Sequence, residues 1–510
     1  MNLIENPTLI QVMLPIIILL CGAMVVVLQS VIKEGCRCVS PLLSLVTLVL
    51  ALMANQCASK HLGVVDDGSV GTTLLSYWVA NIGLLVGILL VFISWRPDGF
   101  GEDEPGKVYI TGEFFAMMLF SIAGLLLVGV SNNLIILFLG LELVSMPTYI
   151  MVTLSRNVFQ SKEAGLKYFF LGALAAGILA YGFAILYGIT GALEYDQIAT
   201  WMQSNTSPYF VVPFLLIIAG LCYKIAALPM HFYVGDVYQG ASSPVSALLA
   251  FMPKIAGFVS ITFIFNMFGT DLFAMADLGH YIGWTFWILA ALTMTVGNTL
   301  ALMQTNTKRV MAYSSVAHTG YMMTALLVGA ATDAILFYMA VYAIATLGIF
   351  GVLSLIEKDG DEAQQLMDLR GLGRAYPGLA AALAVCVFSL IGMPLTAGFI
   401  GKLLVFSALV NDATPVPCNM ILLVIGLINA AIGACYYLRI LKASFIEEGD
   451  FQFTVYNKSK PQIIGITLAT LVTIALGVMP TMLYSKIETT AHSEKSPTAV
   501  VLFDRLSSTD

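Results

Sequence analysis

Seven ionisable side chains within the long apolar runs of this 510-residue chain are candidates for chemistry. Glu142 lies in LFLGLELVSMP, Lys224 in LCYKIAALPMHF, Lys254 in FMPKIAGF and His318 in KRVMAYSSVAHTGYM, while Lys402 follows LIGMPLTAGFIGK. At about 1.5 Å of rise per helical residue, Glu142 stands roughly 14 Å and Lys254 roughly 16 Å from the start of its run, and His318 roughly 15 Å beyond Lys308. These five reach the middle of five different runs; Lys167 and His231 are shallower. A charge near a bilayer centre costs at least ~2.5–3.5 kcal/mol and marks proton relays and ion paths. The groups are unequal in number, with one deep carboxylate and three deep lysines. An apolar surround favours a neutral amine and a neighbouring carboxylate favours the ammonium. A change in Lys–Glu distance would therefore load or unload a proton, which is the chemistry of a relay.

Each residue also has a plainer reading. Glu142 and Lys224 could form a structural ion pair. Lys167 has Glu163 one helical turn before it, which suits a local pair. His231 follows Pro229 at an expected helix break and could cap carbonyls. His318 could be a hydrogen-bonded core residue, but Tyr313, Ser314 and Ser315 on the same helix favour a wet polar path. Arg439 and Glu113 fall near run ends, where a long side chain reaches the interface.

The elements that must hold these groups are membrane helices. The composition is 59% hydrophobic and 10% charged, against roughly 25% charged in soluble domains. Apolar runs near 8–31, 39–57, 74–94, 113–130, 133–154, 163–189, 209–234, 243–268, 280–303, 308–329, 333–356, 377–410, 418–443 and 462–486 predict an all-α polytopic membrane protein of about 14 spans. The runs at 209–234 and 377–410 each combine a lysine with a mid-run proline, Pro229 and Pro394, and are expected to be broken helices. Their placement suggests two inverted five-helix repeats, at 113–268 and 280–445, between a three-helix segment at 1–112 and a last helix with a polar tail at 446–510.

Lys and Arg favour the odd-numbered loops: Lys33 and Arg37, Arg96 and Lys107, Arg156 and Lys162, Lys308 and Arg309, Lys358, Arg370 and Arg374, then Lys442, Lys458 and Lys460. Asp236 is alone in the seventh loop, and Lys60 is the main exception to the alternation. The positive-inside rule then puts odd loops in the cytoplasm and both termini outside. The first run is too long for a signal-peptide core and is read as a retained helix. No strand pattern is visible, and loops near 95–112 and 357–376 leave no room for a catalytic domain.

Other chemistries find little support. No basic patch suggests nucleic acid. Cys36 and Cys38 are the one close cysteine pair, too few for a structural metal, and no set of four suits an iron–sulfur cluster. No dinucleotide fingerprint follows a strand.

Five segments carry a family resemblance: LGLELVSMPTYIMV, SKEAGLKYFFLGALAAG, YKIAALPMHFYVGDVYQGASSPVSALLAFMPKIAGF, TNTKRVMAYSSVAHTGYM and GMPLTAGFIGK. In this order they resemble the antiporter-like subunits of bacterial respiratory complex I, the proton-pumping NADH–quinone oxidoreductase. The DVYQGA stretch, Lys402 and the short C-terminal part are similar to its subunit N more than to L or M. The multisubunit cation/proton antiporters hold the nearest outside relative, and they give the alternative reading. A scaffold or quinone-binding subunit is a third.

The resemblance implies a modulating pair at Glu142 and Lys224, a central relay at Lys254 with His318 beside it, and an exit or linking site at Lys402. It implies secondary roles for Lys167 and His231. It also implies a bacterial inner-membrane location and other complex I membrane subunits as partners. No cofactor is expected in this chain; FMN, iron–sulfur clusters and quinone are expected in other subunits. One departure is HFYVGDVYQG, where the family pattern carries a proline before the aspartate, so the loop at Val234–Asp236 is expected to differ.

Overall fold

The computed structural model describes residues 7–32, 39–59, 70–96, 111–156, 158–204, 208–267, 278–327, 332–358, 361–411, 419–447, 454–455 and 459–494. Cys36, Cys38, Cys418, Lys33, Arg37, Lys60, Lys107, Lys458 and the end of the tail lie outside them.

Helices dominate. The first seven are α1 (Pro7–Ile32), α2 (Val39–Ala58), α3 (Leu74–Ser94), α4 (Gly112–Gly129), α5 (Leu134–Leu154), α6 (Phe159–Thr190) and the short α7 (Tyr195–Ser204). Next come α8 (Val211–Ile225), α9 (Val234–Gly240), α10 (Ser243–Met267), α11 (Leu278–Leu302), α12 (Thr307–Leu326) and α13 (Thr332–Leu355). The chain continues with α14 (Leu372–Ala375), α15 (Pro377–Ile391), α16 (Ala397–Asn411), α17 (Asn419–Phe445), α18 (Lys460–Val478) and α19 (Thr481–Glu494).

Eleven of the described helices are long and apolar enough to cross a membrane. The other three predicted spans are the broken pairs α8/α9 and α15/α16, and α12. α12 is more polar than those eleven, yet every residue in it except Arg309 is buried. It stands with α10 and α13 at the centre of the bundle, while α1, α2, α6, α17 and α18 form the rim. The rim presents Val31, Phe170, Leu427 and Leu471 outward, the apolar surface a bilayer accepts.

Both breaks fall where the prolines predicted. α8 ends on Ala226 and α15 on Gly392, each in the left-handed conformation (φ 57° and 83°). That geometry ends a helix, and it strains alanine where it suits glycine. The two halves also share a close crossing. A Cβ on Gly124 of α4 would stand 2.6 Å from the backbone nitrogen of Val144 on α5. A Cβ on Gly297 of α11 would stand 2.6 Å from that of Ala317 on α12. Gly297→Val is therefore expected to destabilise the fold by about 1–3 kcal/mol, since backbone cannot yield as a side chain does. A wild-type thermal midpoint in this variant would remove the crossing from the account.

Three expectations need correction. A small antiparallel sheet does exist, ordered β2–β1–β3, from β1 (Ile356–Lys358), β2 (Asp361–Glu362) and β3 (Thr454–Val455); strands this short carry no readable alternation. The last run does not continue to 486: α18 stops at Val478, Pro480 follows, and α19 begins. Lys308 and Arg309 are not loop residues but open α12, because Asn306 caps its first turn through Arg309 N–H (3.1 Å).

Loop contacts agree with the alternation. Arg96 of the third loop pairs with Glu357 of the eleventh (2.5 Å). Arg370 of the eleventh pairs with Glu447 of the thirteenth (2.6 Å). At the opposite end, Val70 bridges Ser131, and Asn133 bridges Glu194, joining the second, fourth and sixth loops.

Candidate functional site

Five helices, α5, α8, α10, α12 and α16, carry the deep groups. Glu142 is carried by α5 and Lys224 by the last turn of α8. Lys224 Nζ donates to Glu142 Oε1 and to Ser145 Oγ, each at 2.8 Å. Ser145 is three residues after Glu142, so one helix face offers both acceptors. A cation at a helix C-terminus is also favoured by the helix dipole.

A small cavity separates Lys224 from Lys254, with Tyr168, Tyr233 and Tyr238 in its wall. These rings are held together: Tyr168 stacks on Tyr233 with centroids 5.3 Å apart, and Tyr233 O–H donates to the Tyr223 carbonyl (2.9 Å). Polar tips in an apolar cavity can hold water where direct bonds fall short.

Lys254 sits mid-way along α10 and reaches across to α12. Its Nζ donates to the Ser315 carbonyl (2.6 Å) and to Thr319 Oγ1 (3.0 Å). Thr319 in turn donates to the carbonyl of Ile225, at the broken end of α8 (2.9 Å). One hydroxyl thus ties Lys254 to the helix that carries Lys224.

His318 lies between Ser315 and Thr319 on α12. Its Nδ1 hydrogen-bonds with the Tyr338 hydroxyl (2.6 Å) and its Nε2 with that of Tyr437 (3.1 Å). Tyr321, one turn further, packs edge-on to the imidazole and puts its face under Lys402, 5.3 Å from Nζ. Lys402 also donates to the carbonyls of Leu390 (3.0 Å) and Ile391 (2.8 Å), the free end of α15. Those carbonyls lack helical partners because the helix breaks there.

The shallower residues stand apart. Lys167 is half exposed and pairs with Glu163 (2.8 Å) and Asp236 (3.0 Å) instead of joining Lys224. Asp236, expected alone, also receives Arg309 (2.7 Å). His231 lies in the turn between α8 and α9, where its carbonyl accepts from Val234 N–H (3.1 Å). The departure at Val234–Asp236 is absorbed as the first turn of α9.

The transmembrane family described as NADH:quinone oxidoreductase/Mrp antiporter matches residues 131–433. The chain belongs to this family. The matched stretch holds all seven candidate residues. Subunit N of NADH-quinone oxidoreductase from Trichlorobacter lovleyi is 38% identical over 73% of this chain and 75% of its own. Subunit N 1 from Solibacter usitatus is 36% identical over 91% of this chain and 93% of its own. Among solved structures, a chain of respiratory complex I from Thermus thermophilus with bound aureothin is 29% identical, with a TM-score of 0.76 over 92% of this chain and 98% of that one. This family member is therefore an antiporter-like membrane subunit of the NADH–quinone oxidoreductase type.

The sequence reading missed a second buried cluster. Glu362 on β2 ion-pairs with Lys308, and both side chains are fully buried. The Glu362 carboxylate also accepts from Ser243 N–H (2.9 Å) and Ser243 O–H (2.7 Å), at the first residue of α10. Lys308 donates as well to the Ala241 carbonyl (2.9 Å). Burial pushes the Glu362 carboxyl up, but the charge and hydrogen bond of Lys308, helped by Arg156, hold it below the usual carboxylate value. This cluster fixes the start of α10 against the start of α12, the two helices that Lys254 bridges deeper in. In sequence Glu362 stands only in the charge run KDGDE, within the loop near 357–376.

Proposed function

We propose that this chain carries protons across a bacterial inner membrane as the subunit N type of membrane subunit in an NADH–quinone oxidoreductase, driven by quinone reduction elsewhere in the complex. The observation that supports it is the succession of enclosed groups Glu142, Lys224, Lys254, His318 and Lys402, joined by the Glu142–Lys224 bond and by shared neighbours on α12. In this reading Glu142 modulates Lys224: the closed pair holds the proton, and when it opens the proton passes toward Lys254. His318 exchanges protons with its two tyrosines, and Lys402 is the exit or linking site. Lys167 and His231 serve as secondary groups, Lys167 through the Asp236–Arg309 cluster.

The same reading divides the chain into 1–112, the repeats 113–268 and 280–445, and 446–510. Odd loops then face the cytoplasm and both termini the periplasm. Partners are the paralogous antiporter-like and small membrane subunits. FMN, iron–sulfur clusters and quinone belong to other subunits.

Glu142→Ala tests this. Quinone reduction coupled to proton transport should fall at least tenfold, a modest share of the ~10²–10⁴ that a placed acid or base contributes, while the complex still assembles. Wild-type pumping and turnover in that variant would sink the mechanism. The Mrp part of the family description keeps a cation/proton antiporter subunit as the alternative. Purified chain in liposomes should then exchange cations for protons with no redox partner present.

A further inference from the structure

A groove of about 630 Å³ opens on the rim between the second half of α15 and the last half of α17. Its floor is apolar: Ala384, Phe388, Leu438 and Phe445. Its polar wall is basic, formed by Arg439 and Lys442. The groove lies at the end of the bundle where Arg370 meets Glu447, among the Lys- and Arg-rich loops. Its volume is within the ~300–1,000 Å³ range of ligand pockets.

Among the described residues, the charges at its mouth do not balance. Glu447 is shared by Arg370 (2.6 Å) and Lys442 (3.4 Å). Arg439 spends its guanidinium on two neutral carbonyls, those of Leu302 (2.6 Å) and Gln304 (3.2 Å). Those bonds cap the end of α11 but cancel no charge. Among Arg370, Arg439, Lys442 and Glu447, three cations face one carboxylate. Fixed positive charge above an apolar slot, at membrane-interface depth, selects a molecule with an anionic head and hydrocarbon tails.

We propose that this groove binds an anionic phospholipid of the adjoining leaflet, with an acyl chain along Phe388 and Leu438 and the phosphate between Arg439 and Lys442. In the orientation proposed above this is the cytoplasmic leaflet; the site itself does not depend on the relay reading. A seated lipid would cover the surface between α15 and α17 and brace the half-helix whose end Lys402 caps.

The test uses the assembled complex purified in mild detergent. Bound phospholipid is counted by native mass spectrometry, and the complex is then titrated with phosphatidylglycerol or phosphatidylcholine while thermal stability is followed. Wild type should retain anionic lipid and gain stability from phosphatidylglycerol alone. Lys442→Gln should weaken the response roughly fivefold, as expected for one interfacial cation. Ala384→Trp should abolish it by filling the slot, and it leaves the Arg439 caps untouched. Equal responses to both lipids, or unchanged retention in Ala384→Trp, would overturn the site. So would a photoreactive group at Leu438 that crosslinks to a protein subunit and not to lipid.

Discussion

Glu362→Ala is expected to destabilise the fold by about 3–5 kcal/mol, because it leaves Lys308 buried beside a helix start with its carboxylate removed. The pair is among the most completely enclosed charges in the protein. Two helix starts lose a common acceptor on β2 at once: that of α10 through Ser243 and that of α12 through Lys308. The effect should be read as a lower thermal midpoint and less assembled chain in the membrane. Glu362→Gln separates charge from shape, since it keeps an acceptor for Ser243 but cannot balance Lys308. It should recover only part of the loss.

The pH dependence follows from the same carboxyl. Its value in the fold is held below the unfolded one, so its contribution is fully present above the unfolded carboxylate range. That contribution is lost as pH falls through the folded value. Wild type should lose stability on acidification with a slope that Glu362→Ala lacks. Identical acid limbs would mean that the carboxylate does not stabilise the fold through its charge.

The helices and breaks were legible because each has a local cause. Apolar length set the spans, and Pro229 and Pro394 sit inside the two interruptions. Depth along a helix placed Glu142, Lys224, Lys254, His318 and Lys402 at a common level without any knowledge of neighbours. What stayed hidden needed three dimensions. Arg309 and Lys308 are adjacent in sequence, yet one meets the half-exposed Asp236 and the other is sealed against Glu362. Nothing in the spacing of residues 236, 308 and 362 announces those meetings. The tyrosines that line the path were equally hidden, since Tyr338 and Tyr437 read as ordinary membrane aromatics until His318 is found between them.

Lys254→Met should abolish proton transport while sparing the fold, a combination that no other residue of the line offers as cleanly. Lys224 is paired to a carboxylate, so its loss would strand Glu142. Lys402 caps the broken end of α15, so its loss would free two carbonyls. Lys254 instead donates to groups that have other uses. Thr319 also donates to the Ile225 carbonyl. The Ser315 carbonyl lies inside α12, where the helical ladder supplies it a donor. Methionine has nearly the same length and keeps the packing against α12, so the stability change should stay below about 1.5 kcal/mol. Transport should drop to the leak level, because the cavity beyond Lys224 would then open onto a side chain that cannot take a proton. Lys254→Arg would sharpen the result: arginine keeps a charge but does not give up its proton in proteins, so it too should fail. If Lys254→Met transported normally with normal assembly, the buried charges would be packing elements and the chain a scaffold. If methionine failed and arginine succeeded, Lys254 would act as a fixed charge, and the proton would have to pass it by way of the tyrosines.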